Sequence, residues 1–582
     1  MVALIPMTTL AISSPLSEPQ WQQVQQLLRS LDQRQTMWLS GYLAAGPQAQ
    51  EAVPATASGP SVLIAHGGET GNCQSLAMKL ADQARTAGVI VDVVDLAQLK
   101  LRQLAKREHL VLICSTHGDG DPPEPILAFY EAIMADNAPR LSSLKFSVLA
   151  LGDSSYEHFC VTGQQLDERL EALGATRVHA RVDCDVDFAE PASVWSKALL
   201  AKLPRNETAQ ASSAAPVEAQ ANAVVVDKRN PISVEVLENL CLSEASRVMP
   251  IHHIELALEM DGFNLSPGDA VGILADNPPA LVAAVLNACG LSGEAAVSVN
   301  EQSLPLVQAL RQHLDLTVPS GRFLTFWAGL SANAQLLSYA DVDHPEHRAY
   351  LKRMQVLDLI TLAPATPEPQ ALVDALRPLQ PRLYDVANSL SAIPDELHLN
   401  VKDYRYAFGN RTESGIASRY LLTLEPGDSV RLYPHRNARF HLPEEAQAPV
   451  IFIGEGTGIA PYRAFVQEMQ HGHQTRQAWL VFSENYFEQD FLYQSEWQQA
   501  HASGVLEKID AVFYQDHPGA TLATPLLKQI ETLQNWLDQG AHVYFCGDKE
   551  QLTLCEKSLA EHIGNDAWKL LSKDKRIHRN LY

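Results

Sequence analysis

The chain lacks paired cysteines. Its eight, at positions 73, 114, 160, 184, 241, 289, 546 and 555, form no CxxC pair and no metal-like cluster, so neither a disulfide framework nor a metal centre is indicated. The opening Met1-Val2-Ala3-Leu4-Ile5-Pro6-Met7 lacks a basic stretch and carries too short an apolar run for a signal peptide or membrane anchor, and Met7 is an alternative start. Positive charge is scarce: 44 Lys and Arg stand against 68 Asp and Glu, a formal net charge of -24. That balance argues against broad nucleic-acid or anionic-membrane binding and suits a cytoplasmic protein whose acidic faces could meet a basic partner. What is present is ordinary globular material, 46% hydrophobic and 19% charged, in a chain of 582 residues. At roughly 100 to 200 residues per domain, that length implies about three to five folding units.

Residues 15 to 45 space Trp21, Val24, Leu27, Leu28, Leu31, Trp38 and Leu39 as one or two amphipathic helices would, followed by an Ala-, Pro- and Gly-rich linker. Segment 1–59 is therefore expected to be a helical docking or oligomerisation element, or a frayed extension. Between 60 and 203, Val62–Ala65, Leu110–Cys114 and Phe146–Leu151 repeat an apolar strand followed by a polar loop, the pattern of a doubly wound parallel sheet. Residues 204–230 lack periodicity and read as a flexible linker. Short alternating strands on either side of a mostly helical stretch at about 278–375 predict a β-barrel with a helical insert over 231–445. A further α/β unit, with strands at 449–453, 478–482, 508–513 and 542–546, occupies 446–582.

The first chemistry-bearing loop is Gly67-Gly68-Glu69-Thr70-Gly71-Asn72, followed by Cys73, between a strand and a helix. Free N–H groups and the helix dipole there favour a phosphate, although a structural turn would use the same glycines. Two more loops follow later strands: Ser115-Thr116-His117-Gly118-Asp119-Gly120-Asp121, and Leu151-Gly152-Asp153-Ser154-Ser155-Tyr156-Glu157-His158-Phe159-Cys160. All three converge at the carboxyl edge of an open sheet, where ligands bind, and Gly118, Gly120 and Tyr156 suit a planar ring.

Farther on, Arg382-Leu383-Tyr384-Asp385 sets a fixed cation and a flat ring two residues apart, on one side of a strand. Gly415-Ile416-Ala417-Ser418 opens a helix that could hold phosphate by its N-terminus. Gly454-Glu455-Gly456-Thr457-Gly458-Ile459-Ala460-Pro461 after Val450–Ile453 is a glycine loop fit for a dinucleotide pyrophosphate, though weak evidence alone. It is joined by Asp490-Phe491-Leu492-Tyr493 and Cys546-Gly547-Asp548.

With these motifs in this order, the chain over about 60–582 resembles the diflavin reductase family. Its nearest form is the flavoprotein alpha component of bacterial NADPH-dependent sulfite reductases, whose ending Arg576-Ile577-His578-Arg579-Asn580-Leu581-Tyr582 fits. The resemblance implies an α/β flavodoxin-like domain binding FMN, a β-barrel FAD domain with a helical insert, and an α/β nucleotide-binding domain of ferredoxin-reductase type. It implies that Tyr156 stacks on FMN, and that Thr317, Arg382, Tyr384, Asn400, Val401, Lys402, Tyr406 and Gly415 to Ser418 line FAD. Cys546 would stand beside the nicotinamide, and Tyr582 would cover the FAD ring. The implied activity is electron transfer from NADPH through FAD and FMN to a sirohaem, iron-sulfur hemoprotein subunit, in a homo-oligomer assembled through the N-terminal segment.

The family pattern is broken at several positions. His117 replaces an aromatic or amide residue and Gly68 a hydroxyl. Asp385 stands where the family has serine, and Asn580 where its tail has aspartate, as though one carboxylate had changed places. Tyr514-Gln515 replaces the Ser-Arg pair that grips the 2'-phosphate of NADPH, with Lys528 and Lys549 as candidate substitutes. A glutamine cannot supply that charge, so a weakened preference for NADPH, with NADH as an alternative donor, is expected. Two other functions compete: a diflavin reductase serving another haem or cobalamin acceptor, and a degenerate flavoprotein that binds partners without oxidising nucleotide.

Overall fold

The computed structural model describes residues 61–582 other than 69–70, 118–119, 155–157, 205–225, 229, 245–246, 259–262, 264, 301, 342–343 and 474. The N-terminal segment 1–59, most of the 204–230 linker, and Glu69, Thr70, Gly118, Ser155, Tyr156 and Glu157 of the first site thus lie outside the described residues.

The first sheet contains β1 (Ser61–Gly67), β2 (Ile90–Asp95), β3 (His109–Ser115), β4 (Lys145–Leu151), β5 (Thr176–Arg177) and β6 (Val182–Cys184). Its strands are parallel, in the order β2-β1-β3-β4-β5 with β6 beside β4. Side chains alternate across β1, so Leu63 and Ala65 join a core with Leu112, Phe146 and Leu166, while Val62 and Ile64 join one with Leu80, Val111 and Trp195. Both faces are covered, which is why these strands read as unbroken apolar runs.

A second sheet is antiparallel. After β7 (Ile232–Cys241), β8 (Ile251–Ala257) and β9 (Ala270–Leu274), the chain leaves for an insert of helices between Pro279 and Ala375. The insert packs around Phe323, Trp327, Leu359 and Leu372. It also contains a hairpin, β10 (Ala296–Val299) with β11 (Gln302–Pro305), that the helical periodicity of the segment conceals. The chain returns through β12 (Arg382–Asp385), β13 (Glu396–Lys402), the hairpin β14 (Arg405–Phe408) and β15 (Arg411–Ser414), and β16 (Ser429–His435). The order is β12-β9-β16-β7-β8-β13. A bridge between Val386 and Leu399, with Ala387 N donating to His398 O at 2.8 Å, joins the outer strands and closes the barrel.

The third sheet is parallel, with β17 (Val450–Glu455), β18 (Ala478–Glu484), β19 (Lys508–Phe513), β20 (His542–Gly547) and β21 (Ile577–Leu581) in the order β19-β18-β17-β20-β21. Along β17, Phe452 packs with Tyr462, Phe465 and Phe482 on one face, and Ile451 with Trp479 and Leu559 on the other. In both parallel sheets the strand order reverses once, beside β1 in the first and β17 in the third. The crevices at the carboxyl ends of those strands are where such sheets hold ligands.

Candidate functional site

At the first crevice, the helix Asn72–Thr86 starts from Gly71 with no side-chain cap, leaving its first N–H groups open to an anion. A Cβ on Gly68 would lie 2.6 Å from Ser115 Oγ and 3.0 Å from Cys73 Sγ, so only glycine lets the loops after β1 and β3 approach this closely. Cys73 is buried, and burial pushes its thiol up to about 12. Thr116 Oγ1 accepts from Thr162 N at 3.2 Å, and His117 N donates to Asp121 O at 2.9 Å. Leu151 ends β4 and Gly152 N donates to Cys184 O at 2.9 Å. Ser154 is held by Asp185 through its amide, at 3.0 Å, and its hydroxyl. His158 and Phe159 lie against Gly120 and Gly152, and Cys160 precedes the helix Val161–Ala172. Uncapped N–H groups beside small residues at a sheet edge fit a phosphate-bearing flavin such as FMN.

This edge does not face open solvent. Arg377, buried near the end of the helical insert, donates to Asp153 Oδ2 at 2.8 Å. Arg322 pairs with Asp187 at 3.1 Å, Lys549 with Asp121, and Arg439 Nη2 donates to Pro125 O at 2.9 Å. Asp153 after β4 and Asp187 after β6 are thereby docked onto the helical insert, and Asp121 after β3 onto the third α/β unit. All three ion pairs put the base on the C-terminal half and the acid on the first domain.

On the barrel, Arg382 and Leu383 are exposed while Tyr384 and Asp385 are partly buried. Arg382 forms no ion pair among the described residues, which leaves its guanidinium for a pyrophosphate. Asn400 is buried, and neither its Nδ2 nor its Oδ1 has a partner. An orphaned amide in such a place fits a polar cofactor edge. Val401 and Lys402 follow it in β13, and Tyr406 stacks on Tyr404 at 5.9 Å. Gly415, Ile416, Ala417 and Ser418 open a helix of seven residues, in which Ser418 Oγ donates to Gly415 O at 3.1 Å. Thr317 Oγ1 is committed to Asp315 Oδ1, 2.6 Å away. The barrel residues fit FAD.

Where the barrel meets the third sheet, three side chains close into one cluster. Asn580 Nδ2 donates to Asp385 Oδ1 at 2.8 Å, and Cys546 Sγ donates to Asp385 Oδ2 at 3.6 Å. Asn580 Nδ2 also lies 3.6 Å from Cys546 Sγ, because β20 and β21 pair Cys546 with Asn580. Burial pushes the Asp385 carboxyl up to about 6, against the pull of Asn580 and Cys546. Burial, together with Asp385, pushes the Cys546 thiol far up, so it is a neutral donor. Tyr582, largely exposed, meets Thr457 Oγ1 through its hydroxyl at 3.0 Å.

Gly456 and Thr457 begin a tight 3-10 turn, Gly456–Ile459, leading into the helix Ala460–His471. Gly458 serves the fold: its Cβ would lie 2.0 Å from Cys546 O, so the glycine admits β20 rather than a ligand. Asp548 caps the helix Lys549–Ile563 by accepting from Gln551 N at 3.0 Å. Tyr514 Oη donates to Ser483 Oγ at 3.0 Å, and Gln515 is exposed. Lys549 pairs with Asp121 across the docking face. The glycine loop carries a signal in its sequence alone, since Glu455 puts a carboxyl inside a phosphate-type turn. Arg377 and Arg439 carried none, because their roles depend on how distant segments meet.

Among the described residues one cluster of metal-ligand types exists: His253, Glu255 and His398 bring ligand atoms within 4.8 Å of one another. Arg463 Nη1 donates to His398 Nδ1 at 3.1 Å, which leaves that ring's proton on Nε2, 2.8 Å from Glu396. A ring so arranged offers no lone pair there to a cation.

The sequence matches three family models in order: Flavodoxin over residues 64–194, FAD binding domain over 225–420, and Oxidoreductase NAD-binding domain over 452–557. It is 37% identical over 586 residues to the Sulfite reductase (NADPH) flavoprotein alpha-component of Bacillus subtilis, covering 98% of this chain and 96% of that protein. The protein of that name from Aliivibrio fischeri is 36% identical over 602 residues, covering 98% and 99%. Its counterpart from Vibrio cholerae serotype O1 El Tor is 35% identical over 603 residues, covering 99% and 98%.

Proposed function

The chain belongs to the sulfite reductase (NADPH) flavoprotein alpha-component family, and from that premise we propose that it moves electrons from NADPH through FAD and FMN to a sulfite-reducing hemoprotein subunit. The observation that carries this reading is the docking of the first domain by its ligand edge, with Asp153 on Arg377, against the half that holds the hydride cluster. An edge used both for cofactor and for docking suits short-range electron transfer. The two flavins supply the change from a two-electron hydride to single electrons.

The protein's own residues bind and orient. Arg382 would offer its guanidinium to the FAD pyrophosphate, and Asn400, whose amide has no partner, would offer it to the cofactor's polar edge. Tyr582, whose hydroxyl meets Thr457 Oγ1, would lie over the flavin ring. Asp385 accepts a hydrogen bond from the Cys546 thiol at Oδ2 and one from the Asn580 amide at Oδ1, and so would hold both donors in place for an incoming nicotinamide. The hemoprotein is proposed to be the sirohaem, iron-sulfur type, with copies of the chain assembled through segment 1–59. No helix among the described residues is long and apolar enough to cross a membrane.

The test is an absorbance spectrum of the purified protein, then cytochrome c reduction with NADPH. Two flavins per chain and turnover are expected. Flavin without nucleotide-driven reduction would overturn the enzyme reading in favour of a flavin-binding partner protein.

A further inference from the structure

Glu455 ends β17 and opens the Gly456–Ile459 turn at the crevice between β17 and β20, where a dinucleotide pyrophosphate would sit. Its side chain caps nothing, and its Oε2 is enclosed without a hydrogen-bond partner. The charges facing it are mostly of its own sign. Glu484, at the end of β18, reaches over the turn, with Oε1 3.2 Å from where a Gly456 Cβ would be. Asp548, after β20, is a second acidic neighbour. Tyr514 after β19 and Tyr582 at the chain's end face it too and are neutral at ordinary pH. Two cations stand near. Arg247 is consumed, with Nη2 on both oxygens of Glu484 at 3.0 and 2.9 Å and Nη1 on Asp490 at 2.7 Å. That leaves Lys402, at the end of β13, as the cation acting on Glu455.

A phosphate site works by offering donors and positive potential. An ionised carboxyl in its turn opposes the ligand directly, and a neutral one can instead donate to it. We propose that dinucleotide binding to this chain is linked to the uptake of a proton by Glu455, so that the pyrophosphate is accepted with that carboxyl neutral. The inference rests on the nucleotide-binding role proposed above.

Burial, with Asp548 and Glu484, pushes Glu455 up to about 7, so it changes charge within the working range. The sign follows. Below about 7 the free protein already carries the proton and affinity is flat. Above it, each binding event must take up one proton, so affinity falls by up to about tenfold per pH unit.

The experiment is calorimetric titration of the flavin-loaded full chain with NADP+ between pH 6.5 and 8.5, for the wild type and Glu455→Gln, in two buffers of different ionisation enthalpy. The 2'-phosphate of NADP+ titrates near 6, and its contribution cancels in the ratio of the two proteins. The expected result is uptake of close to one proton per NADP+ by the wild type at pH 8. The ratio of wild-type to variant Kd should also climb about tenfold from pH 7.5 to 8.5. Parallel Kd curves, or no proton uptake by the wild type, would overturn the proposal. Should the variant fail to fold, the wild-type proton count alone decides. Loss of NADP+ binding by both proteins at every pH would instead bring down the nucleotide-binding reading and this inference with it.

Discussion

Asn580 Nδ2 donates to Asp385 Oδ1 at 2.8 Å across the seam between the barrel and the third sheet, and the same carboxylate takes the Cys546 thiol on its other oxygen. The acid stands on the barrel strand and the amide on the tail, where the family pattern has a serine on the strand and an aspartate on the tail. The local chemistry keeps one carboxylate and one thiol. Asp385→Ser would strip two donors of their acceptor, and Asn580→Asp would set two carboxylates in contact. Each single change is expected to slow flavin reduction about 10- to 100-fold, the scale of a lost charged hydrogen bond. The double variant should stay within about tenfold of wild type in stopped-flow bleaching. Additive damage would sink the idea.

The pH dependence follows from the same cluster. Burial raises Asp385 from 3.8 to about 6, so the carboxylate that accepts from both donors exists above that pH. Below it, the added proton would confront an amide N–H or a thiol. Flavin reduction under saturating nucleotide should therefore rise as pH passes through about 6. Asp385→Asn should be slow and flat across that range, and an unchanged inflection in the variant would assign it to another group.

Docking of the first domain should depend on salt. Arg322–Asp187 and Lys549–Asp121 are half-exposed, whereas Arg377 is buried against Asp153. Screening shortens from about 10 Å at 0.1 M salt to about 3 Å at 1 M, so the exposed pairs weaken first. Small-angle scattering should show the radius of gyration growing with salt. Arg377→Gln should show the expanded form already at low salt, because it removes the buried base. A scattering curve indifferent to both changes would show that the interface does not rest on these pairs.

Nucleotide choice is expected to be less strict than a guanidinium at position 515 would make it. Gln515 is exposed and Lys549 is turned to Asp121, so neither supplies a fixed charge for a 2'-phosphate. Gln515→Arg should raise the NADPH to NADH ratio of kcat/KM about 10- to 100-fold, the range of a charge-assisted hydrogen bond. A wild-type protein that already discriminates strongly against NADH would refute the expectation.

Much of this molecule is legible from local pattern. The apolar runs Val62–Ala65 and Val450–Ile453, each closed by a glycine turn, specify parallel strands and their ligand edges, because burial on both faces demands continuous hydrophobic residues. Arg382 and Tyr384 share a face because a strand repeats every two residues. The insert hairpin, Ala296–Val299 with Gln302–Pro305, was hidden among helical periods, since four-residue strands carry too little pattern to stand out.

Residue types and their order along the chain thus determined the family and the three sheets, and marked out candidate positions for the cofactors. Tertiary structure alone decided who meets whom. It put Asp385 between Cys546 and Asn580, spent Arg247 on Glu484, left Glu455 among carboxyls, and set Arg377, 224 residues away in sequence, on Asp153. Hydrogen bonds need contact at about 3 Å and charges in ordinary salt act over about 10 Å, and separations that small between distant segments exist only once the chain has folded.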